Sequence, residues 1–286
     1  PFTTRLIYAS DVLVDEPGAM REFIQGRTLC LSMSSGLRVL AGGAPFDLHY
    51  VGDTYGLPLR RHDAQNNVVD NITDWGLKQF IAHYKGCEPS PQPSPSGRGS
   101  KTGARKITKE AIFHYCYAVL HDPVYCEKYA QNLKREFPRI PFYADFWRWA
   151  DWGAELMRLH IDYESVQPFE LTRHDEPDVK ARAAGLAPKP LLKSDPAAGS
   201  ILLDSETTLR GVPPEAWAYR LGNRSALDWV LDQHKEKKPK DPTIREEFYT
   251  YRFADHKEKV IDLLQRVVMV SVKTVKVVQA MQTAAR

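Results

Sequence analysis

The stretch ITKEAIFHYCYAVLHDPVYCEKYAQNLKREFPRIPFYADFWRWADWG, residues 107–153, decides how this chain folds. Thr108 has the chemistry of a helix N-cap, and Ile112, Cys116, Val119 and Leu120 recur at the spacing of one helical face. Asp122 followed by Pro123 starts a second helix, because a carboxylate accepts the first free N–H groups and proline fits the first helical position. Cys126, Tyr129, Ala130 and Leu133 give that helix its apolar face. It must stop before Pro138, and Pro138 with Pro141 holds the next stretch extended. Phe146, Trp149, Ala150, Gly153, Leu156, Met157 and His160 then mark a third amphipathic helix. The expectation is a helical layer over residues 108–165.

Outward from this layer the pattern changes. Residues 1–88 read as a sheet-rich part with short strands at 5–8, 28–32, 37–40 and 47–51, separated by Gly, Pro and Ser turns. Residues 71–84 follow as a helix, with Trp75, Phe80, Ile81 and Tyr84 spaced for one buried face. Residues 89–107 are rich in Pro, Ser and Gly and nearly devoid of apolar side chains, the composition of a flexible surface insertion. On the other side, 166–286 opens with a proline-rich, irregular stretch at 167–198. A two-stranded ribbon, 200–203 with 207–210, turns around Asp204 and Ser205. Pro213, Pro214 and Glu215 restart a helix, Ser225 caps another, and the charged HKEKKPKDP ends it. Residues 255–285 lack Gly and Pro and keep Val260, Leu264, Val267, Ser271, Thr274, Val278 and Met281 at a heptad-like spacing, which reads as helix. The alternation of Val268, Val270 and Val272 leaves a strand open there. The fold class expected is α+β: a small N-terminal mixed or antiparallel sheet, then a mainly helical portion with a short β-ribbon and C-terminal helices, in one composite domain.

With 286 residues, 43% of them hydrophobic, the chain can bury a sizeable core. Its longest apolar run near the end, 267–278, is interrupted by Ser271, Lys273, Thr274 and Lys276 and falls short of the ~20 residues a membrane span needs, so no membrane partner is expected. Thr3, Thr4, Arg5 and Asp11 leave no apolar segment for a signal peptide, and the absence of an initiator Met at Pro1 suggests a fragment. Cys30, Cys87, Cys116 and Cys126 form no CxxC pair, so neither a disulfide framework nor a zinc site is indicated, which fits a reducing cytoplasm. A net charge of +3 permits nucleic-acid binding without arguing for it.

Several motifs resemble catalytic ones. Asp122-Pro123-Val124-Tyr125 is close to the D-P-P-Y box of adenine methyltransferases, but that box closes a strand, whereas helical sequence flanks this one on both sides. Helix capping is the better reading. Gly42-Gly43 lacks the spacing of a cofactor loop. Asp178 with Asp255-His256-Lys257, or with Glu236-Lys237-Lys238, has the letters of a metal-dependent nuclease, yet the separations are wide and the charged context is that of a solvated face. His114 and His121 stand seven apart without a metal-ligand pattern, and Ser34 and Ser35 lie in no nucleophile elbow. No catalytic residue, cofactor or metal is expected within this chain.

What remains is recognition chemistry. Base edges in the major groove are read by Arg for guanine, by Asn or Gln for adenine, and by Ser or Thr for either. The N-terminal part offers Arg5, Ser32, Ser34, Ser35, Arg38, Arg60, Arg61, Gln65, Asn66 and Asn67. Within it RRHDAQNN joins two arginines to three amides with no apolar anchor, as a groove-facing loop would, though an ordinary polar loop has the same composition. Phosphate contacts would come from Lys134, Arg135, Arg139 and Arg148 around the proline bend. Further clusters are Arg98, Lys101, Arg105 and Lys106, and Lys235, Lys237, Lys238 and Lys240.

The strings PFTTRLIY at 1–8, FDLHYVG at 46–52, DNITDWGLKQFIAHY at 70–84, ITKEAIFHYCYAVLHDPVYCEKYAQNLKREFPRIPF at 107–142, AWAYRLGNRSALDWVLDQ at 216–233 and VIDLLQRVVMVSVKT at 260–274 carry a resemblance. Together they resemble the C-terminal target-recognition region of Type ISP restriction-modification enzymes. The resemblance implies a bacterial, cytoplasmic protein whose partners are double-stranded DNA and an upstream methyltransferase domain of the same chain. It also implies a parent that methylates adenine with S-adenosylmethionine and cleaves DNA after ATP-driven translocation with Mg. A stand-alone DNA-binding or scaffold protein is the alternative.

Overall fold

Every residue of CLSM, Cys30 to Met33, is buried, the mark of a strand covered on both faces. In the computed structural model, which describes residues 28–34, 38–43, 54–63, 65–85, 105–236, 242–243 and 251–286, Cys30–Ser34 (β1) is the centre of an antiparallel sheet. Arg38–Gly42 (β2) and Thr54–Pro58 (β3) flank it, so that Ser32 faces Leu40 on one side and Gly56 on the other. A hairpin of Arg60–His62 (β4) and Val68–Asp70 (β5) follows. The expected strands at 5–8 and 47–51 and the insertion at 89–104 lie outside the described residues.

The described residues divide into two compact units, one made of those from 28 to 161 plus Lys276–Arg286, the other of those within Asp162–Val275. In the first, Asp74–His83 (α1) is shorter than read from sequence, and its face is different. Trp75 is 72% exposed and Ile81 46%, while only Tyr84, just past the helix, is buried. Lys109–Val119 (α2) is capped by Thr108, whose side chain accepts from Ala111 N–H. Pro123–Lys128 (α3) is capped by Asp122 through Val124 N–H, which is the role the Asp-Pro pair suggested. It is only six residues long, and Leu133 reaches the core from a separate 3-10 turn, Asn132–Lys134. Phe146–Ile161 (α4) begins where Asp145 accepts from Arg148 N–H, and it packs along α2. Tyr115, Tyr117, Phe146, Trp149 and Leu156 form the centre of this core, joined by Val277 and Met281 from the C-terminal helix.

Residues 138–143 are extended, as the two prolines require, and so have no helical or strand partner for their carbonyls. Three tyrosine hydroxyls supply one. Tyr125 donates to the carbonyl of Arg139, Tyr115 to that of Pro141 and Tyr84 to that of Tyr143, at 3.0, 2.7 and 2.7 Å. Alternate carbonyls of an extended chain point to the same side, and here that side is the aromatic core. Tyr115 also accepts from Tyr143 N–H at 2.7 Å.

Two histidines are held neutral in the same unit. His121 donates Nδ1–H to the Tyr117 carbonyl, and His160 Nδ1 lies 2.7 Å from the Tyr117 hydroxyl. Burial pushes His121 down to about 4; burial, and then the charge of His121, push His160 down to about 3. Both are depressed below the unfolded value near 6.5, so their contribution is complete above that pH and is lost as the pH falls below it. Between pH 7.5 and 5.5 the expected loss is about 1.4 kcal/mol for each, roughly 3 in total, read as a fall in urea midpoint. A His121→Gln, His160→Gln variant whose midpoint falls just as steeply over that range would refute this assignment.

The second unit contains the clearest correction. The expected ribbon exists as Ser200–Asp204 and Thr207–Arg210, but it is the middle of a four-stranded antiparallel sheet. Its outer strands, Thr172–Asp175 (β6) and Pro190–Asp195 (β7), come from the stretch read as irregular; the ribbon strands are β8 and β9, in the order β6-β9-β8-β7. The β7 register shifts between Pro190 and Lys193, where Leu192 takes a positive φ of 47° yet remains buried. Asp178 caps the short helix Val179–Ala183 (α5) rather than joining any acidic site. Pro214–Ala218 (α6) and Ala226–Gln233 (α7), the latter capped by Ser225, start where expected. Lys257–Gln282 (α8) is one helix of 26 residues, so the valine alternation is helical. Its residues Val260, Leu264 and Val267 pack with Ile201, Leu203, Leu209, Leu227 and Leu231. Asp204 fixes the β8–β9 turn by accepting from Glu206 and Thr207 N–H, and Lys257 Nζ meets its other oxygen at 2.7 Å.

Candidate nucleic-acid interface

RRHDAQNN is not a loop following a strand. Arg60, Arg61 and His62 are themselves β4, and the turn projects beyond them. The hairpin is fixed at its base, where Leu59 is buried, its N–H donates to the Leu29 carbonyl at 2.7 Å, and Asn71 returns a side-chain bond to Pro58. At the tip Asp63 organises the turn. Its Oδ1 accepts from Gln65 N–H and Asn67 N–H at 2.9 and 2.8 Å, and its Oδ2 from the Asn67 side chain at 3.1 Å. These donors, Asn67 first, hold the Asp63 carboxyl below the usual carboxylate range. Asn66 adopts a φ of 64°, a left-handed conformation that asparagine tolerates better than most residues. Gln65 and Asn66 are left exposed, with no side-chain hydrogen bond among the described residues; Asn67 is exposed too, but its amide belongs to the turn.

The other candidates divide by position. Ser32 is withdrawn as a reader because its side chain is fully buried in β1, with no hydrogen-bond partner for its hydroxyl among the described residues. Ser34 and Arg38 lie at the facing ends of β1 and β2, as a register pair. Arg5 and Ser35 lie outside the described residues. Arg60 is exposed, 3.6 Å from Asp70, and Arg61 is half-buried opposite Val69. Around the proline bend, Lys134 and Arg135 are exposed and make no ion pair among the described residues, while Arg139 meets Glu136 at 3.2 Å. Arg148 lies over the Trp152 ring at 4.9 Å. Arg105 is a weaker phosphate candidate than its charge suggests, since it is bidentate to Asp151 at 2.7 and 2.8 Å. Lys235 is paired with Asp232, and Arg98, Lys101, Lys237, Lys238 and Lys240 lie outside the described residues.

Sequence reasoning missed Asp63. Its signal was present: an Asp followed two and four residues later by positions whose N–H groups it can reach is an Asx-type turn.

A model of the Type ISP C-terminal specificity domain matches residues 1–263. The chain belongs to that family. Among solved structures this specificity domain is similar to part of DrdV, determined as a DNA complex, with 46% identity and a TM-score of 0.84 over 98% of this chain and 27% of that one. Two further structures share the fold. LlaBIII, an ATP-dependent Type ISP restriction-modification enzyme bound to DNA, has 18% identity and a TM-score of 0.69, covering 98% of this chain and 18% of that one. A nuclease-deletion mutant of the Type ISP enzyme LlaGI with a DNA substrate mimic has 20% identity and 0.64, covering 92% and 22%. The specificity domain thus spans little more than a quarter of DrdV and less of the other two. Among curated proteins none matches it. No helix among its described residues is long and apolar enough to cross a membrane.

Proposed function

We propose that this domain reads duplex DNA sequence for a longer single-chain restriction-modification enzyme and performs no chemical step itself. The observation that carries the reading is its 46% identity, over 98% of its length, to part of a protein solved on DNA. The geometry supplies a means. Gln65 and Asn66, on a turn stiffened by Asp63, suit adenine edges, while Lys134 and Arg135 suit phosphates. The site takes no cofactor; S-adenosylmethionine and Mg would serve an adjoining adenine methyltransferase and nuclease. A fixed register would present the target base to that methyltransferase for flipping.

The need for ATP is open to a second reading. The same 98% of this domain amounts to 27% of DrdV but only 18% of LlaBIII, so DrdV is about two-thirds as long. The more similar relative is therefore the shorter one, and cleavage by the parent enzyme with and without ATP tests the point: cleavage without ATP excludes a required translocase.

Selection of the chain on a randomised duplex pool tests the main reading. A defined enriched site is expected, with no binding of S-adenosylmethionine. Asn66→Ala or Gln65→Ala should relax preference at one base pair, a loss of about 1–3 kcal/mol in discrimination, and leave the salt dependence unchanged. Failure to enrich any sequence, or metal-dependent cutting abolished by Asp255→Ala, refutes the reading.

A further inference from the structure

Two aromatic rings stand outside the core and touch each other. Tyr55 on β3 and Phe137 just before the proline bend are each 59% exposed, with centroids 5.1 Å apart in an edge-to-face arrangement. Side by side, the two rings make a contiguous apolar patch rather than two scattered exposed residues, and contiguous exposed apolar surface is what marks contact sites. Both are mounted on fixed backbone. Tyr55 sits in register with Met33 of β1, and the segment following Phe137 is pinned at alternate carbonyls by Tyr125, Tyr115 and Tyr84. Lys134 and Arg135 precede Phe137 with no ion pair among the described residues, and Arg139 follows it, 90% exposed. Its contact with Glu136 is the kind of exposed pair that exchanges readily for another anion.

We propose that Tyr55 and Phe137 form a stacking platform for an unstacked base, and that Lys134 and Arg135 hold the phosphates beside it. The inference rests on the DNA-reading function and adds a second contact, distinct from the β4–β5 hairpin. Rings offer every base the same π-face and carry no hydrogen-bond code, so this contact would favour distorted DNA over paired DNA without preferring a sequence. The cations decide for a nucleic acid over an apolar protein partner: between residues 134 and 139 three positive charges face one negative.

The test compares binding of the chain to a labelled duplex and to the same duplex with a central mismatch, by anisotropy at several salt concentrations. The wild type should bind the mismatched duplex roughly ten-fold tighter. Tyr55→Ala and Phe137→Ala should abolish that preference, and Phe137→Trp should keep it. Lys134→Ala with Arg135→Ala should weaken both complexes alike and lower the salt slope by about 2. Unchanged thermal midpoints will show that the variants fold, as the exposure of all four residues leads one to expect. The proposal is overturned if the wild type shows no preference for the mismatch, if Phe137→Ala retains it, or if Phe137→Ala weakens binding to the separately expressed methyltransferase region instead. Absence of any duplex binding by the wild type would defeat the DNA-reading function itself, a result distinguishable from all of these.

Discussion

Gly153→Ala should lower stability by about 3 kcal/mol or more, although alanine is the better helix former. A Cβ built at Gly153 in α4 would stand 1.8 Å from the carbonyl oxygen of His114 and 2.5 Å from its carbonyl carbon. Both are backbone atoms of α2, so no rotamer change relieves the overlap. The two helices would have to separate by more than an ångström along a contact that buries Tyr115, Trp149, Ala150 and Leu156. The propensity gain of about 1 kcal/mol is too small to offset the dispersion lost by opening that seam. Gly76 in α1 is the internal control, because its Cβ would meet the Thr73 hydroxyl at 3.5 Å and Ile72 Cγ2 at 3.9 Å, both ordinary contacts with side chains. Gly76→Ala should therefore be neutral or stabilising by up to about 1 kcal/mol. Urea midpoints of the two variants decide the matter: equal effects of the same sign would mean that the α2–α4 approach is not as close as described.

Gly153 also shows what was legible in the sequence. The apolar spacing of 146–160 places Gly153 on the buried face of a helix, but spacing does not reveal that a neighbouring backbone passes within contact of it. Local signals did well. Thr108, Asp122 and Ser225 cap helices because capping depends only on residues within a turn, and α8 follows from a long run without Gly or Pro. Elements defined by distant partners were missed. β6, with sequence TRHD, is a strand only because β9 pairs with it, and β7 begins with a proline and carries a register shift. The face of α1 was misread for the same reason, since which of Trp75, Phe80 and Ile81 is covered depends on what α1 packs against. For the candidate interface, residue type nominates Gln65, Asn66, Lys134 and Arg135, and the structure leaves all four exposed. Residue type could not show that Ser32 faces inward, or that Asn67 is held by Asp63.

The largest effect expected from a single polar change lies at Arg286. Asp122 is fully buried, and it does more than cap α3: Arg286 binds both its oxygens, at 3.0 and 2.7 Å, and the Tyr143 hydroxyl donates to one of them at 2.9 Å. Arg286 also donates to the carbonyls of Met281 and Ala284, so the end of α8 is fastened to the start of α3. Removing the guanidinium would strand a carboxylate away from water, at a cost of about 3–5 kcal/mol. Arg286→Met, which keeps an unbranched side chain but removes the guanidinium that lies 5.9 Å from the centroids of the Tyr143 and Trp149 rings, should show that full cost in urea unfolding. Asp122→Asn keeps a capping oxygen but removes the charge, and combined with Arg286→Met it should recover most of the loss, giving a coupling of at least about 2 kcal/mol. Arg286→Met within about 1 kcal/mol of wild type, or a double variant no more stable than it, would show that the pair is not a buried charge couple. The consequence reaches the proposed stacking platform. Tyr143 ends the pinned segment that follows Phe137, so Arg286→Met should weaken the mismatch preference at temperatures where the variant is still folded, while the sequence preference proposed for the β4–β5 hairpin, which Asp63 and Leu59 hold independently, should persist.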